Sequence, residues 1–238
     1  MARVLIIRES EAGRETAETL FNLGHESVLL PLEAVVPLQS APPGGNWDGF
    51  VVTSAKAVDP LAKSFPSDSR PVFAVGAATA EALRTAGFVH ILAGSGTAAS
   101  LPPIVQTTFG AGGTPRLLYA AGRNRSGSLE RAFEAAGIGF GTWDVYDIVP
   151  LMPDRASAEV ALGEAPVDAV LILSQGQAEA YGRLVARLKE ASSRQTTSVP
   201  PRLLCLSERI AAALPAELTQ RAKISTSPSL ASLFEWIA

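Results

Sequence analysis

One strand-to-helix transition occurs twice in this chain. Asp48-Gly-Phe-Val-Val-Thr-Ser-Ala-Lys-Ala-Val58 returns as Asp168-Ala-Val-Leu-Ile-Leu-Ser-Gln-Gly-Gln-Ala178, with a serine six places after the aspartate in each copy. An apolar run without polar alternation, opened by a charge and closed by a hydroxyl residue, reads as a strand covered on both faces. Such strands belong to parallel sheets flanked by helices. The rest of the sequence falls into register around this pair. Arg3-Val-Leu-Ile-Ile7 and Arg116-Leu-Leu-Tyr-Ala-Ala121 begin two further strands, 113 places apart. The same offset takes Gly24 to Gly137, Pro37 to Pro150, and Glu33-Ala-Val-Val-Pro37 to Tyr146-Asp-Ile-Val-Pro150.

Helical spacing follows each strand. Residues 11–23 form one helix, stopped by Gly24, and residues 128–136 another, stopped by Gly137. Pro71-Val-Phe-Ala-Val-Gly76 and the helix from Ala77 to Arg84 are answered by Arg202-Leu-Leu-Cys-Leu-Ser207 and the helix from Ile210 to Leu214. A helix is expected from about Gln177 to Glu190, and the polar stretch Ala191 to Ser198 reads as a loop. The chain is therefore three strand–helix units, then the same three again. This order predicts an α/β protein with a parallel sheet in each half and right-handed crossovers. Spacing alone would cut it into tandem domains near residue 113.

The 238 residues suffice for two cores: 47% are apolar and only 18% charged. A net charge of −3 offers no basic stripe for nucleic acid. The apolar run at the N-terminus is too short for a signal core or a membrane span. The lone Cys205, inside Leu203-Leu-Cys-Leu206, reads as a buried small hydrophobe, and one cysteine permits no intrachain disulfide. These features predict a cytoplasmic protein. His25 and His90 have no second ligand nearby, so no metal site is expected. No amphipathic stretch is left over for self-association, which predicts a monomer.

Familiar catalytic signatures are missing. There is no phosphate-binding Gly-x-x-x-x-Gly-Lys loop and no Gly-x-Ser-x-Gly elbow, and Gly110-Ala-Gly-Gly113 precedes a strand instead of following one. What remains lies at strand C-termini: Thr53 and Ser54, Gly76 with Thr79, Ser174, and Ser207. Open parallel sheets bind ligands beyond those ends. Each position also opens a helix, whose free N–H groups favour an anion. Singly, each serine or threonine reads as an ordinary N-cap. Together they point to a ligand with several anionic groups, bound between the halves. Arg8, ending the first strand, is either a carboxylate contact or half of a surface ion pair. Tyr146, in Thr142-Trp-Asp-Val-Tyr-Asp147, reads from spacing alone as a packing residue.

These pieces resemble the uroporphyrinogen-III synthase family. The likeness is carried by Val4-Leu-Ile-Ile-Arg8, Asp48 to Val58, Val72-Phe-Ala-Val-Gly-Ala-Ala-Thr-Ala-Glu-Ala-Leu83, Gly122, Val145-Tyr146 and Leu171-Ile-Leu-Ser174. Each motif is short; their order and spacing over nearly the full length is the specific signal. The resemblance implies two α/β domains joined by a two-stranded linker, with the first strand–helix unit exchanged. Residues 1–36 would then join 150–238, and 37–149 would form the other domain. It implies a cofactor-free, metal-free lyase that closes linear hydroxymethylbilane to uroporphyrinogen III, losing water and inverting the last pyrrole ring. It gives Tyr146 a part in departure of the hydroxyl. The substrate's carboxylates would fall to Arg8, Thr53, Ser54, Gly76, Ala77, Thr79, Arg123, Ser174, Gln175 and Ser207.

The chain departs from the family pattern in two places. Ser207-Glu-Arg-Ile-Ala211 replaces the usual threonine-bearing run, leaving Ser207 and Arg209 as the contacts there. After Gly122 the family's arginine position holds Ser126, so the choice between Arg123 and Arg125 stays open. Two rival readings are a non-catalytic binding protein for a polyanionic small ligand and an idle synthase-like domain.

Overall fold

A computed structural model describes residues 1–110, 112–190, 200–227 and 229–237. In chain order the first elements are β1 (Arg3–Ile6), α1 (Ser10–Asn22), β2 (Glu26–Leu29), β3 (Glu33–Pro37), β4 (Gly49–Val52), α2 (Val58–Ser64), β5 (Val72–Ala74), α3 (Ala77–Thr85), β6 (Ile91–Ala93) and α4 (Leu101–Phe109). There follow β7 (Arg116–Gly122), α5 (Ser128–Ala135), β8 (Gly139–Pro150), α6 (Arg155–Leu162), β9 (Ala169–Ile172), α7 (Gln175–Glu190), β10 (Arg202–Cys205), α8 (Glu208–Ala211), α9 (Ala216–Thr219), β11 (Ala222–Ile224) and α10 (Leu230–Phe234). The repeated runs at 48–58 and 168–178 each hold a buried strand, β4 or β9, as expected. The polar stretch Ala191 to Ser198 lies outside the described residues.

Two compact units result: Met1–Ala34 with Val149–Ala238, and Val35–Ile148. The first holds a sheet in the order β11-β10-β9-β1-β2, the second a sheet in the order β3-β8-β7-β4-β5-β6. Neighbouring strands from β11 to β2 and from β8 to β6 run parallel. A tandem cut near residue 113 would put β1 beside β4. Instead β1 pairs with β9, and β4 pairs with β7. The chain passes from one unit to the other within β3 and within β8, which are neighbours in the six-stranded sheet.

Side-chain alternation explains the two cores of each unit. In the first unit, Leu5 and Ile7, Val170 and Ile172, and Leu203 and Cys205 face one side with α7 residues Tyr181 and Leu184. Val4, Ile6, Leu171 and Leu204 face the other, against Leu20 of α1 and Leu233 of α10. In the second unit Phe50, Val52, Val72 and Leu118 pack with Leu61 of α2 and Leu83 of α3. Val51, Phe73, Leu117 and Tyr119 pack with Val105 of α4 and Phe133 of α5. The central strands β1, β4, β5, β7, β9 and β10 are thus covered on both faces, the condition that their unbroken apolar runs announced.

The repeated aspartates have a shared task. Asp48 Oδ2 accepts from the Arg116 N–H at 2.7 Å, and Asp168 Oδ2 accepts from the Arg3 N–H at 2.7 Å. The backbone closes each ring: Asp48 N–H donates to Arg116 O and Asp168 N–H to Arg3 O, both at 2.9 Å. Each carboxylate therefore ties the first residue of a neighbouring strand that comes from the other half of the sequence. Some elements lacked a sequence signal. β6 has three residues, too few for a period. The α6 helix starts from Asp154, whose Oδ1 accepts from Ser157 N–H at 2.8 Å, directly after Pro153.

Two outcomes follow for stability and reactivity. Asp48→Ala and Asp168→Ala are each expected to cost about 1 kcal/mol, a charge-assisted bond discounted for exposure, read by urea unfolding. The Cys205 thiol is fully buried, and desolvation pushes its pKa up to about 11. Iodoacetamide at pH 8 should leave it unmodified in the folded protein and alkylate it in urea.

Candidate active site

In the second unit the C-terminal ends of β4, β5 and β7 open onto a cavity of about 530 Å³. Thr53, Tyr119, Arg125, Ser128 and the Gly96–Ala99 segment line it. Thr53 and Tyr119 share a hydroxyl–hydroxyl hydrogen bond of 2.9 Å. Burial pushes the Tyr119 phenol above its ordinary pKa, with the Thr53 bond opposing it. Ser54 is an N-cap: its Oγ accepts from Lys56 N–H at 3.4 Å at the start of the 3₁₀ turn Ala55–Ala57.

Gly76 precedes α3 and offers no side-chain cap, so the first-turn amides of Ala77, Ala78 and Thr79 have no side-chain acceptor. A Cβ at Gly76 would stand 3.2 Å from the Gly96 Cα, so glycine lets the two segments approach. Thr79 is 6% exposed, and its hydroxyl has no hydrogen-bond partner among the described residues. Uncapped first-turn amides are the groups that favour an anion at a helix start.

Tyr146 sits on the other face of β7. Along β7 and β8 the register runs Ala120↔Trp143, Ala121↔Asp144, then Gly122↔Tyr146, so Val145 is an extra residue. The bulge puts Val145 and Tyr146 on the same face, where both pack with Trp143 and Ala120. The Tyr146 ring lies across Gly122. A Cβ there would fall 2.7 Å from its Cζ and 2.9 Å from its hydroxyl oxygen. That hydroxyl has no protein partner among the described residues. Glycine at 122 is thus a condition for the tyrosine's position.

The two arginines of the loop after Gly122 differ in their protein partners. Arg125 Nη1 donates to Gly122 O at 2.7 Å and to Asp144 Oδ1 at 2.6 Å, and its Nε donates to Glu130 Oε1 at 2.6 Å. Burial opposes its charge, but these two carboxylates outweigh that and hold its pKa above the ordinary value. Arg125 is a clamp on the loop. Arg123 makes one longer contact, Nη1 to Asp147 Oδ2 at 3.3 Å, and its side chain is 56% exposed. Its other side-chain donors have no acceptor among the described residues. Its backbone N–H donates to Tyr146 O at 2.8 Å, linking it to the tyrosine.

The first unit has its own strand ends. Ser174 caps α7, accepting from Gln177 N–H at 3.1 Å. Gln177 is buried; its Oε1 accepts from Leu173 N–H at 2.9 Å and its Nε2 donates to Glu33 Oε1 at 2.6 Å. Gln175 and Gly176 are exposed at the helix start. Ser207 caps α8 through Ile210 N–H at 3.4 Å, and Arg209 is exposed on that helix. Arg8 donates from Nη1 to Thr16 Oγ1 at 3.0 Å on α1 and is half-buried.

Sequence reading overlooked Tyr119 and Gln177. Ser174-Gln-Gly-Gln177 carries the capping-box spacing that could have revealed the second. Nothing local signals the first, since Thr53 and Tyr119 are 66 residues apart. Among the described residues, no cluster of three or more His, Cys, Asp or Glu could hold a metal, and no helix is long and apolar enough to cross a membrane.

The family model for uroporphyrinogen-III synthase HemD matches residues 14–235. Comparison with curated proteins by sequence finds no significant match. Among solved structures, the uroporphyrinogen-III synthetase of Helicobacter pylori is similar, with a TM-score of 0.65 and 16% identity, covering 100% of this chain and 98% of that one. A mutant uroporphyrinogen III synthase from Thermus thermophilus gives a TM-score of 0.50 and 20% identity, covering 100% and 97%. At these identities the structures speak for the shared fold.

Gly122→Ala is expected to turn the Tyr146 ring off β7, because the ring's far end is the group that can yield. A crystal structure of the variant checks it, with a melting temperature shift of only a few degrees, about 1 kcal/mol.

Proposed function

The chain belongs to the uroporphyrinogen-III synthase family, and we propose that its strand-end residues bind hydroxymethylbilane and direct its closure to uroporphyrinogen III. The family match sets the reaction, a cyclisation that loses water and inverts the last pyrrole ring. The observation that ties this chain's own residues to it is Tyr146, held over Gly122 by a bulge with its hydroxyl uncommitted. A non-catalytic binding protein has no observation in its favour.

In this reading the substrate's eight carboxylates are held by N–H and O–H donors. The second unit offers Thr53, Ser54, the Gly76–Ala77 helix start with Thr79, and Arg123. The first offers Arg8, the Ser174–Gln175 helix start and Ser207, with Arg209 beside it where the family pattern is altered. The capping serines can serve both ends, since each hydroxyl oxygen accepts from its helix while its proton remains to donate. Tyr146 donates to the hydroxyl on the terminal methylene. The C–O bond breaks, the hydroxyl leaves as water with an added proton, and the pyrrole nitrogen's electron pair forms the cationic azafulvene. The azafulvene methylene bonds first to the carbon of the last ring that already carries a methylene bridge, giving a spiro intermediate. That older bridge bond then breaks to regenerate an azafulvene, which closes at the ring's free carbon, and the proton is returned when that carbon loses its own.

An azafulvene needs little chemical activation. Without a protein such a bilane closes with no inversion, so binding must favour the strained spiro-type route over the direct one. Fixing the two chain ends supplies much of the rate. The enzyme in this reading is a cytoplasmic monomer without cofactor, nucleic-acid partner or membrane partner.

The test is a product assay with fresh hydroxymethylbilane, oxidation, and chromatographic separation of uroporphyrin isomers. Isomer III should dominate. Tyr146→Phe should slow turnover by roughly tenfold or more while isomer III still prevails. Isomer I alone, at the rate of the buffer blank, would overturn the reading.

A further inference from the structure

We propose that Tyr119 is a positioning residue for the substrate: its hydroxyl donates to Thr53 Oγ1 and thereby turns the Thr53 proton toward a carboxylate in the cavity. The inference rests on the reading of Thr53 as a substrate-holding group and adds a residue that no sequence motif marks. Tyr119 is 3% exposed, and its ring belongs to the core between β7 and helices α4 and α5. Its hydroxyl reaches Thr53 at 2.9 Å, and both residues line the cavity at the C-terminal ends of β4 and β7.

The direction of that bond is open in the free protein, because either oxygen can donate. A carboxylate accepts only, so its arrival selects one polarity. If Thr53 donated to Tyr119, two acceptors would face each other across the cavity. With Tyr119 as donor, Thr53 accepts from below and gives its own proton to the ligand. Every hydrogen is then used, and the two bonds polarise one another. Burial raises the phenol's pKa, so Tyr119 keeps the proton that this polarity requires. The Arg125 guanidinium lies 5.9 Å from the ring centroid, and Phe would preserve that packing. Tyr119→Phe therefore removes the hydroxyl and little else.

The experiment is steady-state kinetics on hydroxymethylbilane with Tyr119→Phe, Thr53→Val and the double variant, each with its melting temperature. Tyr119→Phe is expected to raise KM about fivefold with kcat and melting temperature nearly unchanged, the effect of one lost hydrogen bond. Thr53→Val should raise KM at least as much, and the double variant should be no worse than Thr53→Val alone. If Tyr119→Phe leaves KM unchanged while Thr53→Val raises it, the inference is wrong and the substrate reading stands. Effects that multiply in the double variant also sink it, because Tyr119 would then act by another route. An unchanged KM in Thr53→Val removes Thr53 from the substrate site, and the inference with it. Should Tyr119→Phe fold poorly, 3-fluorotyrosine at 119 keeps ring and hydroxyl while strengthening the donor. KM should then fall about twofold, and an unchanged KM would count against the proposal.

Discussion

Two aspartates pin the crossed strand pairing at its start. Asp48 and Asp168 occupy the same place in the repeat, and each carboxylate grips the first N–H of the neighbouring parallel strand. The gripped strand always comes from the other half of the sequence: Arg116 for Asp48, Arg3 for Asp168. A chain made of two equal halves could pair each aspartate with the first strand of its own half, β1 for Asp48 and β7 for Asp168. The observed pairing crosses over, so β1 completes a sheet whose other members, β2 aside, lie beyond residue 168. Both strand C-terminal ends with their helix starts, and hence both sets of candidate ligand groups, depend on that order.

The sequence made the strands legible because burial on both faces removes polar alternation. The runs at 48–58 and 168–178 needed no partner to be read, and neither did the glycine stops at 24 and 137, which adopt the left-handed conformation at φ +80° and +67°. Pairing was another matter. An offset of 113 residues is equally compatible with tandem and exchanged halves, because both satisfy the same local patterns. A strand's own residues say which faces are buried but not which strand lies beside it. Only the motif resemblance pointed to exchange.

The site divides along the same line. Ser54, Ser174 and Ser207 were legible as helix starts, and they cap helices. Thr79 and Gly76 were legible through their strand–helix setting. The arrangement around Tyr146 was not, since a bulge is one extra residue in a pairing that only the folded sheet defines. Arg125 escaped for a related reason. Its partners Gly122, Glu130 and Asp144 come from a strand end, a helix and the next strand. Two arginines two places apart look alike in sequence, yet one holds the loop through several partners and the other makes a single longer contact with Asp147.

Tyrosines 119 and 146 show how one strand can serve two purposes. Both touch β7, on opposite faces: Tyr119 within the α4 and α5 core, Tyr146 across Gly122 among Trp143 and Val145. Alternation along a regular strand would fix the side of every residue. The bulge at Val145 breaks it for β8 alone, and the glycine at 122 clears the space into which the ring falls. A phenol on a regular strand would need burial to be held still, and burial would cost it access to a ligand. Resting the ring on a glycine in the adjacent strand fixes it while leaving the hydroxyl without a protein partner. That combination of a held ring and an uncommitted hydroxyl is what a donor to a leaving group requires, because the hydrogen bond then forms only when the substrate supplies its acceptor.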